Sequence, residues 1–270
     1  MELVDEILDG LELNNKSQIS ILYSPEFAIS LIEDYGVDSD QITMFTDGDP
    51  LLNKIADKMG INSANKMEEL SLKKWDLTLG NPPYGKNANL AIDFLNRSAD
   101  YADEIVFVMP KTLKKKSAIN RVREDLHLVD HVDNPDDAFG VSSGLWTCVQ
   151  KWKLDKNKKR EKIEVYTRGM VKDDFIFTDM KSSNVAIGRV GRGSAGRVFT
   201  REDRGPREKA YEDKSPHSHY FIKTRNKKVL QQLKSLESEF REMAQDTVSN
   251  PSLSIDDLVS LYVERYMGAK

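Results

Sequence analysis

The sequence predicts an α/β fold: a mostly parallel sheet flanked by helices, followed by a smaller basic C-terminal region. Three observations carry this prediction. Short β-rich runs alternate with helical stretches of about ten residues, a rhythm that implies crossover connections between parallel strands. A chain of 270 residues is long enough for one large domain, or for one domain plus a smaller module. Charge is divided unevenly along the chain, so its two ends face different surroundings.

The elements follow in order. Ile19–Leu22 is a short β-rich run. Phe27, Leu31 and Ile32 then share one side of a helix that Gly36 stops. Ile42–Thr46 is a second strand, ended by Asp47-Gly48-Asp49-Pro50, and residues 51–59 form a helix stopped by Gly60. Trp75–Leu79 is a third strand running into Gly80-Asn81-Pro82-Pro83-Tyr84. A helix over 90–99 leads to a strand over 104–109, closed by Pro110. A helix is expected over 117–126, then strands over 128–132 and 145–152. Lysine is frequent and apolar residues sparse over 151–162, which marks a boundary or an exposed loop. Short strands are expected over 163–166, 175–177 and 185–190, then an amphipathic helix over 226–241 and a second over 255–266.

Composition narrows the class. The hydrophobic share is 39% and the charged share 31%, which suits a globular protein and excludes collagen-like and disulfide-scaffold classes. No apolar run approaches the roughly 20 residues that span a bilayer, and the acidic start lacks the basic region of a signal peptide. The single cysteine, Cys148, allows no intrachain disulfide, so a reducing, cytoplasmic setting is expected. The net charge of −4 is a cancellation. Residues 1–50 carry 12 Asp/Glu against 1 Lys/Arg, whereas residues 151–230 carry 22 Lys/Arg against 11 Asp/Glu. The basic block fits a polyanion partner, or else a solvated surface.

Asn81-Pro82-Pro83-Tyr84 carries the most chemistry. Ligands of open α/β sheets bind beyond the carboxyl ends of the strands, which is where this tetrapeptide falls. Two prolines fix the backbone and remove two N–H donors. The Pro82 carbonyl and the Asn81 amide oxygen then offer two acceptors suited to gripping a planar amino group. Tyr84 supplies an aromatic face for stacking on a heterocycle.

This motif resembles that of the S-adenosylmethionine-dependent N6-adenine DNA methyltransferases. The likeness extends to Asp103–Leu113, to Arg121–Leu126, and to the hairpin of Ala138-Phe139-Gly140-Val141 with Leu145–Trp152, covering roughly residues 19–152. It implies a Rossmann-like class I methyltransferase fold. It also implies a reaction in which Asn81 and Pro82 hold the amine of an adenine flipped out of double-stranded DNA, Tyr84 stacks on it, and the nitrogen attacks the sulfonium methyl. Phe139 would supply a second stacking face, or else is an ordinary core residue. The family's glycine-rich loop after the first strand is replaced here by Tyr23-Ser24-Pro25-Glu26-Phe27-Ala28, so Tyr23 and Phe27 become the candidate cofactor contacts. Asp47 is the candidate acceptor for the ribose hydroxyls. Asp49 is its runner-up, with a helix N-cap as the alternative role.

In the basic block, Arg189, Arg192 and Arg197 lie in a glycine-rich stretch, and Lys223 and Arg225 form a second cluster with Lys227 and Lys228. Both fit phosphate contacts, and Lys114–Lys116 are placed to join them. His217 and His219 lack the further ligands a metal site needs, so no metal is expected. The reading is therefore a catalytic domain over 1–155, a basic target-recognition region over 156–225 and a helical tail over 226–270. The expected activity is methyl transfer from S-adenosylmethionine to adenine N6 in DNA. The alternatives are a catalytically inactive DNA-binding relative, or a methyltransferase acting on RNA or protein glutamine.

Overall fold

The computed structural model describes residues 8, 11, 13, 14, 16–134, 145–202, 211–247 and 249–268. The chain divides into two compact units, one of residues 1–113 and 118–162, the other of residues 114–117 and 163–270.

The first unit alternates strand and helix as the sequence predicts. Its elements are β1 (Ile19–Leu22), α1 (Pro25–Glu33), β2 (Ile42–Phe45), α2 (Pro50–Met59), β3 (Asn62–Ala64), α3 (Met67–Leu70), β4 (Trp75–Gly80), α4 (Asn89–Ser98), β5 (Ala102–Pro110), β6 (Leu126–Asp133) and β7 (Thr147–Leu154). Among the described residues the strands form one seven-stranded sheet in the order β3-β2-β1-β4-β5-β7-β6. β1, β2, β3, β4 and β5 pair in parallel, whereas β7 runs antiparallel to both β5 and β6. This is a Rossmann-like arrangement with a terminal antiparallel strand pair. Strand order reverses between β1 and β4, and such a switch point opens a crevice at the carboxyl ends of the strands.

The central strands β1, β2, β4 and β5 are buried on both faces along most of their length, so they are largely apolar. Ile19, Ile21, Leu77, Leu79 and Val106 pack on one face with Phe27 and Leu31 of α1. Leu22, Ile105, Phe107 and Trp152 pack on the other with Ile92 and Leu95 of α4. Local signals end the helices. Gly60 takes the left-handed conformation after α2, and Asp49 caps its start.

The helix expected over 117–126 is cut short: α5 covers only Lys116–Ile119. Side chains capture the backbone groups that would have continued it. Arg160 Nη2 donates to the carbonyls of Ile119 and Val122, each at 2.6 Å, and Asn96 Oδ1 accepts from the Arg123 amide. Residues 151–154 complete β7 rather than opening a linker, and Lys151 and Lys153 both pair with Glu104 across the sheet.

The second unit contains β8 (Ile176–Phe177), β9 (Val185–Gly188), β10 (Val198–Thr200), β11 (His219–Lys223), α6 (Lys227–Ser235), α7 (Glu237–Met243) and α8 (Ile255–Tyr266). Its strands form an antiparallel sheet in the order β10-β9-β11-β8. Val185, Ile187, Val198 and Ile222 bury one sheet face against Val229, Leu233, Phe240, Leu258 and Tyr262 of the helices. The stretches read as a recognition region and a helical tail thus share one core. The strand expected over 163–166 does not form, and Tyr166 packs into that core instead. The helix expected over 226–241 breaks at Leu236, and Glu237 beyond the break accepts from the Val198 amide at 2.9 Å. No described helix is long and apolar enough to cross a membrane.

Lys114, Lys115 and Lys116 pair with Asp246, Asp257 and Glu264 respectively. They are structural cations of the second unit, not phosphate contacts. The Lys115–Asp257 pair is nearly buried, and Lys115 also donates to the Ser252 carbonyl. Replacing Lys115 by Met strands a buried carboxylate, so Lys115→Met is expected to cost roughly 3–5 kcal/mol. Urea unfolding checks this, with hydrogen exchange over 255–266 showing where protection is lost.

Candidate active site at the carboxyl end of the sheet

The site is built where β1 and β4 diverge. Gly80, the last residue of β4, lies against Leu22 of β1, where a Cβ would come within 2.6 Å of the Leu22 carbonyl oxygen. The next amide, Asn81, donates to that same carbonyl at 3.2 Å. Asn81 therefore emerges at a fixed position at the switch point. Pro82 is buried and Pro83 exposed, and the Pro82 carbonyl accepts no hydrogen bond from the described residues.

Tyr84 locks the turn from its other end. Its carbonyl accepts from the amides of Leu90 and Ala91, anchoring the start of α4. Its ring packs half-buried on the core, and its hydroxyl donates to Asn81 Oδ1 at 3.0 Å. Burial pushes the phenol well above its ordinary range, so Tyr84 stays a neutral donor. An amide oxygen has two lone pairs, so this bond orients Asn81 and leaves one acceptor site. The two acceptors expected from the motif are thus present on one rigid turn. Tyr84, expected as a stacking face, is also the group that aims Asn81.

Beside this turn, the ends of β1 and β2 both turn through the left-handed region. Tyr23 has φ +61°, Asp47 φ +52° and Gly48 φ +75°. Such a backbone costs a residue like Tyr of order 1–2 kcal/mol. Glycine would normally adopt it, so Tyr23 holds a backbone conformation that few side chains take. Its ring turns away into edge contacts with Phe45 and Phe94, at 5.1 and 5.7 Å between centroids. Its hydroxyl reaches Asp47 Oδ2 at 3.4 Å. Burial, with the Asp47 charge second, pushes the Tyr23 phenol up to about 12.

The other candidates separate cleanly. Asp47 is exposed at the end of β2, open to a diol. Asp49 Oδ1 accepts from the amides of Leu51 and Leu52 at 2.7 and 3.0 Å, so it is the N-cap of α2. Phe27 is 2% exposed within the core under α1, which removes it as a cofactor contact. Sequence reasoning missed a polar cluster beside Asp47. Thr46 Oγ1 donates to Asn53 and Asn65, whose side chains also bond to each other. β3, which carries Asn65 to this place, reads Asn-Ser-Ala and has no apolar signal.

The basic residues do not form one surface. β9 and β11 pair with His219 opposite Gly188 and Ile222 opposite Val185. Arg189 therefore leaves one end of this pair while Lys223 and Arg225 leave the other. Arg189 and Arg192 are exposed, and the Arg197 guanidinium lies over the Phe199 ring at 5.6 Å. The glycine-rich stretch is a packing device as well: a Cβ at Gly188 would overlap the Ser194 carbonyl. Phe139 and its neighbours lie outside the described residues.

No protein-family model and no curated protein sequence matches the chain. Solved structures do resemble it. TrmN from Thermus thermophilus superposes on 57% of this chain with a TM-score of 0.45 and 14% identity, and the chain spans 48% of that protein's length. The 23S rRNA methyltransferase ErmE matches over 60% of this chain and 70% of its own, with a TM-score of 0.42 and 12% identity. A tRNA (uracil-54, C5)-methyltransferase from Pyrococcus abyssi, solved with S-adenosyl-L-homocysteine, matches over 56% of this chain and 37% of its own, with a TM-score of 0.39 and 19% identity.

The Gly80–Leu22 approach yields a direct prediction. Because the clash is with backbone, Gly80→Ala is expected to spread β1 from β4 at a cost of about 1–3 kcal/mol. Denaturant midpoints at unchanged slope measure it.

Proposed function

We propose that the chain is an S-adenosylmethionine-dependent DNA methyltransferase acting on the N6 amine of adenine in double-stranded DNA, with the base extruded from the helix. The observation that carries this reading is the rigid Asn81–Tyr84 turn at the switch point, with two acceptors fixed on it. An adenine amine has two N–H groups in one plane. Asn81 Oδ1 and the Pro82 carbonyl accept one each, which raises the electron density on the nitrogen; as the C–N bond forms and the S–CH3 bond breaks, one of the two N–H protons is released. A base within a duplex cannot reach this turn, so extrusion is required.

The cofactor fits the rim on two counts. Asp47 stands exposed at the end of β2, where it would accept from both ribose hydroxyls. Tyr23 gives the end of β1 the left-handed path that lets the backbone approach a ligand closely. When bound, S-adenosylmethionine supplies an electrophilic methyl group. The chain's part is to hold and orient the amine and to exclude water around it.

A second reading is a DNA-binding relative that has lost the cofactor. Tyr23 favours it, because a bulky side chain stands where the resembling family has glycine. Calorimetry with S-adenosylmethionine separates the two, since saturable binding rules out the second.

The test is transfer of labelled methyl to adenine in mixed-sequence duplex DNA. Asn81→Ala is expected to abolish transfer while leaving DNA affinity within about twofold, since phosphate contacts dominate affinity. Asp47→Ala is expected to weaken cofactor binding about tenfold or more. Asp49→Ala should leave cofactor affinity unchanged and cost about 1 kcal/mol of stability. Calorimetry and thermal unfolding of the two variants check this pair.

A further inference from the structure

The second unit carries a run of alternating cations and aromatic rings. The Arg189 guanidinium lies over the Tyr220 ring at 5.9 Å. Tyr220 meets Phe177 edge-on at 6.2 Å. The Arg168 guanidinium lies over Phe177 at 4.9 Å. Both arginines are exposed and both rings half-buried. The run crosses the β11–β8 pair diagonally, because Phe177 lies opposite Ile222, two residues from Tyr220.

The Arg189 end is concave and rigid. A cavity of about 320 Å³ is lined by Arg189, His217, Tyr220, Leu253 and Ser254, at the lower end of the range for ligand pockets. The Tyr220 hydroxyl donates to the Leu253 carbonyl at 3.1 Å, which holds the ring in place. The Arg189 amide donates to Ser218, and the Arg189 carbonyl accepts from Leu253, so its backbone is tied on both sides. Its guanidinium, by contrast, stands at the outer limit of a cation–ring contact. It is free to take a phosphate without breaking a tight stack. Two carboxylates, Asp256 and Asp257, also act on the Tyr220 hydroxyl. Lys115 neutralises Asp257.

We infer that this run binds unpaired nucleotides, with bases stacking on Tyr220 and Phe177 and phosphates held by Arg189 and Arg168. Phosphate contacts alone suit duplex and single strand equally. The ring faces now carry the two guanidiniums, and once those turn to phosphates they can take only bases that have left a helix. This deepens the nucleic-acid reading above and rests on it: the double-stranded substrate is bound where it is locally opened.

Fluorescence anisotropy of the full chain, without cofactor, tests this with three labelled DNAs: a single strand, a fully paired duplex, and a duplex with a two-base bulge. The single strand and the bulged duplex are expected to bind more tightly than the paired duplex. Tyr220→Leu is expected to remove about tenfold of single-strand affinity, whereas Tyr220→Phe, which keeps the ring, retains it. Arg168→Gln with Arg189→Gln is expected to lower the salt slope for the single strand by about 1.4. Should Tyr220→Leu fail to fold, 5-iododeoxyuridine in the single strand should photocrosslink to Tyr220 or Phe177 in the unaltered chain. Preference for the paired duplex, an unchanged salt slope, or crosslinks confined elsewhere would overturn the inference. Because no outcome requires methyl transfer, loss of transfer with these results intact would count only against the enzymatic reading.

Discussion

The close approach of β4 to β1 at Gly80 is the constraint on which the candidate site depends. Only a residue without a side chain lets the end of β4 lie against the Leu22 backbone, and only then does the Asn81 amide reach the Leu22 carbonyl. Parallel strands leave their carboxyl ends pointing the same way, and at the switch point no crossover helix covers them. A rigid turn placed there is held by the Leu22 carbonyl of the sheet and by the start of α4. Two prolines stiffen the turn, and the Tyr84 hydroxyl orients the one side chain that would otherwise rotate freely.

The rim beside that turn reaches a familiar backbone path by an unusual residue. Glycine loops serve phosphate and nucleoside ligands because glycine tolerates the left-handed region. Here Tyr23 adopts it, and edge contacts with Phe45 and Phe94 offset the strain by holding the ring on the core. Asp47, one strand over, shares the conformation, which Asp tolerates better because its side chain bonds locally. Two of the left-handed non-glycine residues thus stand at the carboxyl ends of adjacent strands, and such strain tends to gather in functional sites.

In the second unit, charge serves two purposes that composition cannot separate. Lys114, Lys115 and Lys116 are spent on acidic partners, and Lys214 lies over the Phe199 ring. Arg189 and Arg168 instead stand at the surface over half-buried rings. A cation packed into its own unit cannot neutralise a phosphate. The net of a segment therefore overstates its nucleic-acid surface, and the arrangement of rings beneath the exposed arginines says more.

Much was legible from residue patterns alone: the alternation of strand and helix through β5 apart from β3 and α3, the stops at Gly36 and Gly60, the Asn81–Tyr84 turn at a strand end, and Asp49 as a cap competing with a ligand role. These follow from local periodicity and turn chemistry, which act over a few residues. Other features needed the folded chain. β3 carries no apolar signal and forms because β2 offers an open edge. The helix after β5 stops because Arg160, some 40 residues on, takes its carbonyls. Phe27 left the cofactor rim for the core because its side of α1 faces the sheet. The diagonal meeting of Arg168, Phe177, Tyr220 and Arg189 joins four segments, three of them by strand register and Arg168 from the turn before β8. Local sequence determined which elements form; packing between distant segments decided which of their side chains remain free to bind.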